Sequence, residues 1–384
     1  MANRTALILG AGIGGIAAAR ALRRRLPPSD RIVLIDREAD HRFSPSLLWL
    51  MTGARRPEQF TRPLAALREH GIEFVRGTVT RIDPAGKSAA VDGTTYAGDA
   101  MIIALGADYA PETVPGLTAG GHNLYTLEGA AAARDALAGF TAGRIVVLTA
   151  VPMYRCPAAP YEAALLIEAN CGERGVRASV QVDIYAAEPA PMATAGPAVS
   201  AAIRQMVEAR GIGYHPEHQV TAVDPSARSI SFANGATARY DLLVYVPPHR
   251  APAVLKEAGL LAESGWIPVD RHTLATRFPD VFAIGDNCVI PLKIGKPLPK
   301  AGVFAHGEAE VVARNIARAW TGRGAPASFD GHGACFIETG GARAGMGSGD
   351  FYAEPAPVVR LRQPSLLWHL GKVLYEKYWL YRWL

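Results

Sequence analysis

Short apolar runs recur along the chain, and most of them lead through a turn into a stretch with helical periodicity. The first run, residues 5–9, passes through Gly10-Ala11-Gly12-Ile13-Gly14-Gly15 into a helix-forming stretch at 16–25, and a second run at 31–35 ends in Asp36. This predicts strand, glycine turn, helix and strand. Residues 73–76 and 88–91 predict further strands, and 99–107 a buried strand that closes in a turn at Gly106. Residues 280–287 repeat that form, with an acid, Asp286, directly after Gly285. Between roughly 116 and 265 lies a separate alternation: a strand at 144–148, a helix at 161–170, a strand at 179–185 and a helix at 199–210. Gly302 opens one more helical pattern, carried by Val303, Phe304, Val311, Val312 and Ile316.

The spacing Gly10-x-Gly12-x-x-Gly15 between a strand and a helix has a mechanical reading. The first glycine permits a tight turn, the second lets bare backbone approach a pyrophosphate, and the third lets helix and strand pack closely, with the helix N-terminus facing the phosphates. Asp36 follows at about the distance where an acid meets an adenosine ribose, roughly 20 residues on. Asp286, at a strand's carboxyl end, is placed to accept hydrogen bonds from ligand hydroxyls. The fold class expected is α/β with two Rossmann-like dinucleotide-binding domains. The first is interrupted, covering 1–115 and 266–325; the second covers 116–265; a C-terminal region covers 326–384. The second domain's opening strand runs into Thr149-Ala150-Val151-Pro152-Met153-Tyr154-Arg155-Cys156-Pro157, which contains no glycine. Side chains and prolines there occupy the space a pyrophosphate needs, so NAD(P)H is not expected as electron donor.

After Pro364, Leu366, Leu370, Val373, Leu374, Tyr378 and Tyr381 recur at helical spacing, and His369, Lys372, Glu376 and Lys377 form a polar side. Tryptophan and tyrosine at this density, interleaved with basic residues, suit an amphipathic helix lying in a membrane surface. The same pattern also suits a terminal helix packed on its domain or at a dimer contact.

Composition narrows the choices. The charge balance of 40 Lys plus Arg against 35 Asp plus Glu is mild, without a like-charge run that would mark a nucleic-acid arm. No apolar run approaches the ~20 residues of a membrane-spanning helix. The first five residues lead straight into a strand, so no signal peptide is expected, and a peripheral position on the cytoplasmic membrane face is. Cys156, Cys171, Cys288 and Cys335 show neither CxxC nor metal-ligand spacing, and no metal is expected. Cys171, inside a helix, and Cys288, after the Asp286 turn, read as packing residues. For Cys156, local chemistry leaves two readings. Arg155 and the start of a helix, marked by Pro160 and Glu162, favour a reactive thiolate; a small buried filler is the other.

Together, the glycine motif, the strand ending at Gly106 and the Gly285-Asp286 turn resemble two-dinucleotide-fold flavoproteins over nearly the whole chain. The resemblance implies FAD, with Gly10, Gly12 and Gly15 at its diphosphate, Asp36 and Gly106 beside it, Asp286 on the ribityl chain and Gly302 directing a helix dipole at the flavin pyrimidine. Cys156-Pro157-x-x-Pro160-Tyr161-Glu162 is similar to a segment of sulfide:quinone oxidoreductases and of the flavin subunit of flavocytochrome c sulfide dehydrogenase. Those families pair this cysteine with one near the C-terminus. Here Cys335 occupies the matching place, and Pro299-Lys300-Ala301-Gly302 resembles their lysine-bearing turn. The resemblance implies that sulfide attacks a Cys156–Cys335 disulfide or its sulfur-bridged form, that the electrons pass to FAD and then to a membrane quinone, and that the product is polysulfide or sulfur. It implies Glu162 as a proton carrier and Lys300 as an electrostatic partner of flavin or quinone, with Phe336, Phe351 and Tyr352 among the candidate quinone contacts. It also implies docking of the terminal helix on a membrane surface, and a homo-oligomer is compatible with it. Two departures stand out. Tyr125 lies where many of these enzymes have a third cysteine, and 42–46 lacks the cysteine that tethers flavin in cytochrome-linked relatives. The rival readings are a type II NADH:quinone dehydrogenase, disfavoured by the missing second glycine turn, a flavin subunit donating to a cytochrome c, and a non-catalytic flavin or sulfur carrier.

Overall fold

The computed structural model describes residues 3–384. The apolar runs form two five-stranded parallel sheets. In the first, the order is Val281–Ala283, Ala100–Ile103, Thr5–Leu9, Arg31–Asp36, Glu73–Arg76. The strand at 281–283, remote in sequence, adds beside 100–103, so the two glycine-terminated strands that look alike in sequence are neighbours in space. Leu7, Ile8 and Leu9, and Met101, Ile102 and Ile103, have no exposed surface, as expected where both faces of a parallel sheet are covered. Residues 88–91 stay outside this sheet and pair antiparallel with Val79–Asp83 and Thr94–Ala97.

The second sheet runs His122–Asn123, Leu242–Val246, Gly143–Thr149, Val180–Tyr185, Gly213–His215. Helices Ala159–Glu173 and Pro197–Glu208 accompany it, each opening with a proline in its first turn, where the missing N–H is no loss. A short antiparallel pairing of Asp108–Tyr109 with His249–Arg250 joins the two units. Ala251, Leu255 and Leu260 pack in the core of the first sheet with Met101, Val281 and Trp266.

The last segment is an antiparallel sheet, His332–Gly340, Arg343–Asp350 and Val358–Ser365, followed by the helix Leu366–Arg382. Ser365 caps that helix by accepting from the Trp368 N–H. Its apolar stripe is turned outward and its inner side carries charges. Leu366, Leu367, Leu370, Leu374, Tyr378 and Tyr381 face outward, while Lys372 and Glu376 are buried with Trp379 and Trp383. The apolar stripe therefore does not pack on the domain. The inner stripe does, because each of its charged groups finds a partner. Among the described residues, no helix is long and apolar enough to cross a membrane.

Candidate functional site

A cavity of about 720 Å³ runs from the Gly10–Gly14 turn to Cys156 and Cys335. The glycine end has the shape a dinucleotide requires. Gly10 holds φ +102°, and a Cβ there would lie 2.3 Å from the Ala104 carbonyl oxygen; one on Gly15 would lie 1.8 Å from the Gly10 oxygen. Neither backbone neighbour can yield, so these positions accept glycine alone. A Cβ on Gly12 would meet nothing within 4 Å, so its bare backbone opens on the cavity, at the N-terminus of helix Ile13–Arg23.

Asp36, Gly106, Asp286 and Gly302 also line this cavity. The Asp36 carboxylate accepts the Ala11 N–H at 2.6 Å and the Glu38 N–H at 2.9 Å, and burial raises its pKa against those bonds. Gly302 begins helix Gly302–Thr321, whose first turn borders the cavity with Ala301 and Val303. The residues fit FAD: a glycine cradle for the diphosphate, acids at two strand ends for hydroxyls, and a second helix N-terminus beyond them. Sequence reasoning missed Glu308, on the same helix, which accepts the Gly285 N–H at 2.6 Å and fixes the Asp286 turn. Burial pushes its carboxyl up to about 7. Because the folded value lies above the unfolded one, this group's contribution is full below about pH 4.5 and is lost as pH rises toward and through 7, a change of roughly 3 kcal/mol. Glu308→Gln should flatten that part of the stability curve between pH 5 and 8, which thermal melts at stepped pH would read.

The terminal helix reaches the same loop. Trp379 donates its indole N–H to His41 Nε2 at 2.9 Å, and His41 Nδ1 donates to the Ala11 carbonyl at 3.2 Å. Burial holds the His41 pKa down to about 4, so the ring stays neutral in that tautomer.

At the other end of the cavity, Cys156 precedes helix Ala159–Glu173 and Cys335 lies on strand His332–Gly340. Both line this end of the cavity and influence each other's titration, and the Cys335 thiol donates to the Phe336 carbonyl at 3.4 Å. The neighbouring Cys335 side chain lowers the Cys156 pKa against burial and the Glu162 charge, with help from Lys372 and Arg155, and the same neighbour and burial push Cys335 well up. Cys156 is therefore the more acidic thiol of the pair. Its backbone sits at φ +51°, a strained region for a residue with a Cβ. Several bonds hold it there. Its N–H donates to the Lys300 carbonyl at 2.6 Å, its carbonyl accepts the Ala159 N–H at 2.9 Å, and the Tyr125 hydroxyl donates to the Arg155 carbonyl at 2.7 Å.

Glu188, another residue the sequence reading passed over, clamps the loop from both sides of Cys156. Its carboxylate accepts hydroxyls from Thr149 at 2.7 Å, from Tyr161 at 2.8 Å and from Tyr154. It follows the strand Val180–Tyr185, near the place where a nucleotide-binding Rossmann unit presents its ribose acid. Here that carboxylate is occupied by the protein's own side chains. Cys171 and Cys288 are buried, and burial raises both thiols.

Glu162 is buried and pairs with Lys372 Nζ at 2.7 Å, and it accepts the Glu338 N–H at 2.8 Å. Glu338 in turn contacts His369 Nδ1 at 3.1 Å, and the neighbouring Glu376 is held by Arg55 and Ser46. Burial alone would lower the Lys372 pKa, but Glu162 and Glu338 outweigh it and raise the value. No local signal marked Lys372: it shares one helical stripe with Glu376, Trp379 and Trp383, and the pattern alone does not say which stripe faces inward. The Lys300 ammonium bonds the Asp286 and Cys288 carbonyls at 2.7 and 2.9 Å and lies 3.5 Å above the Trp266 ring, so it chiefly braces the Asp286 turn. Phe336 lines the cavity with Met346 and Tyr375. Phe351 packs instead on Phe304, and the Tyr352 hydroxyl donates to the Arg271 carbonyl.

Comparison with known proteins agrees with this geometry. Residues 4–309 match the family described as pyridine nucleotide-disulphide oxidoreductase. The chain is 28% identical to a sulfide-quinone reductase of Aquifex aeolicus, over 98% of this chain and 90% of the relative. It is 24% identical to the mitochondrial sulfide:quinone oxidoreductase of Mus musculus, over 91% of this chain and 78% of the relative. The X-ray structure of the sulfide:quinone oxidoreductase from Aquifex aeolicus matches with a TM-score of 0.89 at 25% identity, covering 99% of this chain and 91% of that one.

Proposed function

The chain belongs to the pyridine nucleotide-disulphide oxidoreductase family, and on that premise we propose that it is a sulfide:quinone oxidoreductase with FAD as cofactor. The observation that carries this reading is the meeting of Cys156 and Cys335, which are remote in sequence, at one end of a cavity whose other end is the glycine cradle. FAD, when bound, supplies a two-electron acceptor between sulfide and quinone. The chain's own groups do the rest. Hydrosulfide adds to a Cys156–Cys335 disulfide; one S–S bond breaks and another forms, leaving a persulfide on one cysteine and a thiolate on the other. Cys156, the more acidic thiol, is the better leaving group and the better-populated nucleophile. Glu162, bonded to Lys372 at the cavity wall, holds and moves a proton beside the pair.

Gly10, Gly12 and Gly15 would hold the diphosphate, Asp36 and Asp286 would take ribose and ribityl hydroxyls, Gly106 would border the cofactor, and Gly302 would direct its helix N-terminus at the flavin ring. Quinone is collected from a membrane on which the outward row of Leu366, Leu370, Leu374 and Tyr378 rests, with Phe336 on the path to the cavity. The occupied Glu188 carboxylate and the glycine-free loop at 149–157 weigh against NADH as donor. Anaerobic titration tests the proposal: sulfide should bleach the flavin absorbance and added quinone should restore it. Bleaching by NADH alone, with none by sulfide, would sink it.

A further inference from the structure

Three cations are built around the cysteine pair, and two of them are engaged. Lys372 is held by Glu162, and Lys300 by two carbonyls. Arg155 is different. Its guanidinium borders the cavity next to Cys156 and lies over the rings of Tyr109 and Tyr125, 5.4 and 5.2 Å from their centroids. Among the described residues it makes no ion pair and none of its N–H groups has a hydrogen-bond acceptor. The aromatic faces hold the charge in position but satisfy none of its directed donors. A half-buried cation at the cavity wall, with its planar fork free of protein acceptors, suits an anion that arrives in the cavity. Tyr125 makes the placement rigid from two directions: its ring supports the guanidinium, and its hydroxyl bonds the Arg155 carbonyl.

We propose that Arg155 is the docking site of the anionic sulfur nucleophile, holding hydrosulfide at the cysteine pair before it adds to the Cys156–Cys335 disulfide. This deepens the sulfide-oxidising reading and rests on it. The exchange itself balances without an added oxidant: hydrosulfide plus disulfide gives one persulfide and one thiolate.

The test uses the reduced, flavin-loaded protein under anaerobic conditions, with Arg155→Met and Arg155→Lys. Alkylation of Cys156 is followed by mass spectrometry of its peptide, with anionic iodoacetate and neutral iodoacetamide. A change in thiol acidity moves both rates together, whereas loss of an anion site moves only their ratio. The iodoacetate-to-iodoacetamide ratio should fall about tenfold in Arg155→Met and less in Arg155→Lys, and the sulfide concentration that gives half-maximal flavin bleaching should rise about tenfold in Arg155→Met. A ratio within twofold of the native value would overturn the proposal, as would loss of flavin from Arg155→Met, which would make the flavin the partner of Arg155. A normal ratio effect in a protein that sulfide never bleaches would overturn the sulfide reading beneath it while leaving an anion site at Arg155.

Discussion

Cys156→Ser should lower sulfide-dependent flavin reduction by roughly 10³-fold or more, while the flavin stays bound. The size follows from the chemistry: a serine hydroxyl forms neither a disulfide with Cys335 nor a persulfide, so the covalent route is closed. Retention of the flavin follows from the architecture. The cradle is made by backbone at Gly10, Gly12 and Gly15, at the end of the cavity away from the cysteines. Cys335→Ser should have an effect of the same order, because each sulfur needs the other. Stopped-flow absorbance at the flavin band measures both variants. Unchanged turnover in either would refute the paired-cysteine mechanism, and a protein that emerged without flavin would place the cysteines in cofactor binding.

These consequences were partly legible in the sequence. The glycine turn, Asp36 and the Gly285-Asp286 strand are local signals, because steric demands on a glycine or an acid at a strand end are set by a few neighbouring residues. Cys335 was found through resemblance, and no local pattern placed it beside Cys156. What the sequence hid is the set of groups whose role depends on contacts across the chain. Glu188 and Glu308 look like ordinary surface acids, yet one gathers three hydroxyls and the other a turn N–H. The terminal helix shows the difficulty best. Its amphipathic pattern was visible, but hydrophobicity alone says that one stripe differs from another and not which one faces inward. Burial of Lys372 and Glu376 is tolerable only because Glu162 and Arg55 await them, 210 and 321 residues away in sequence.

Lys372→Met should cost roughly 3–5 kcal/mol of stability, the usual penalty for removing one partner of a buried ion pair. Lys372 and Glu162 are 5% and 3% exposed, so water cannot take over the lost interaction. The loss reaches further than one pair. Glu338 is also buried, its carboxyl raised by burial and restrained mainly by Lys372 and His369. Without the lysine its value rises further, and a raised carboxyl contributes stability at low pH that is lost as pH rises. The deficit of Lys372→Met should therefore be larger at pH 8 than at pH 5.5. Combining it with Glu162→Gln should recover part of the loss, since the uncompensated charge goes with it. Stability should follow the carboxylates and return in the double variant; the Cys156 thiol, which Glu162 makes less acidic and Lys372 more so, should be slower to alkylate near neutral pH in Lys372→Met and recover when Glu162→Gln removes the opposing charge. Melting curves at the two pH values, with Cys156 alkylation rates beside them, measure both properties. Equal melting of Lys372→Met and the native protein at pH 8 would show that the pair contributes no net stability, and an alkylation rate that stays low in a double variant of recovered stability would show that Glu162 does not oppose the lysine at Cys156.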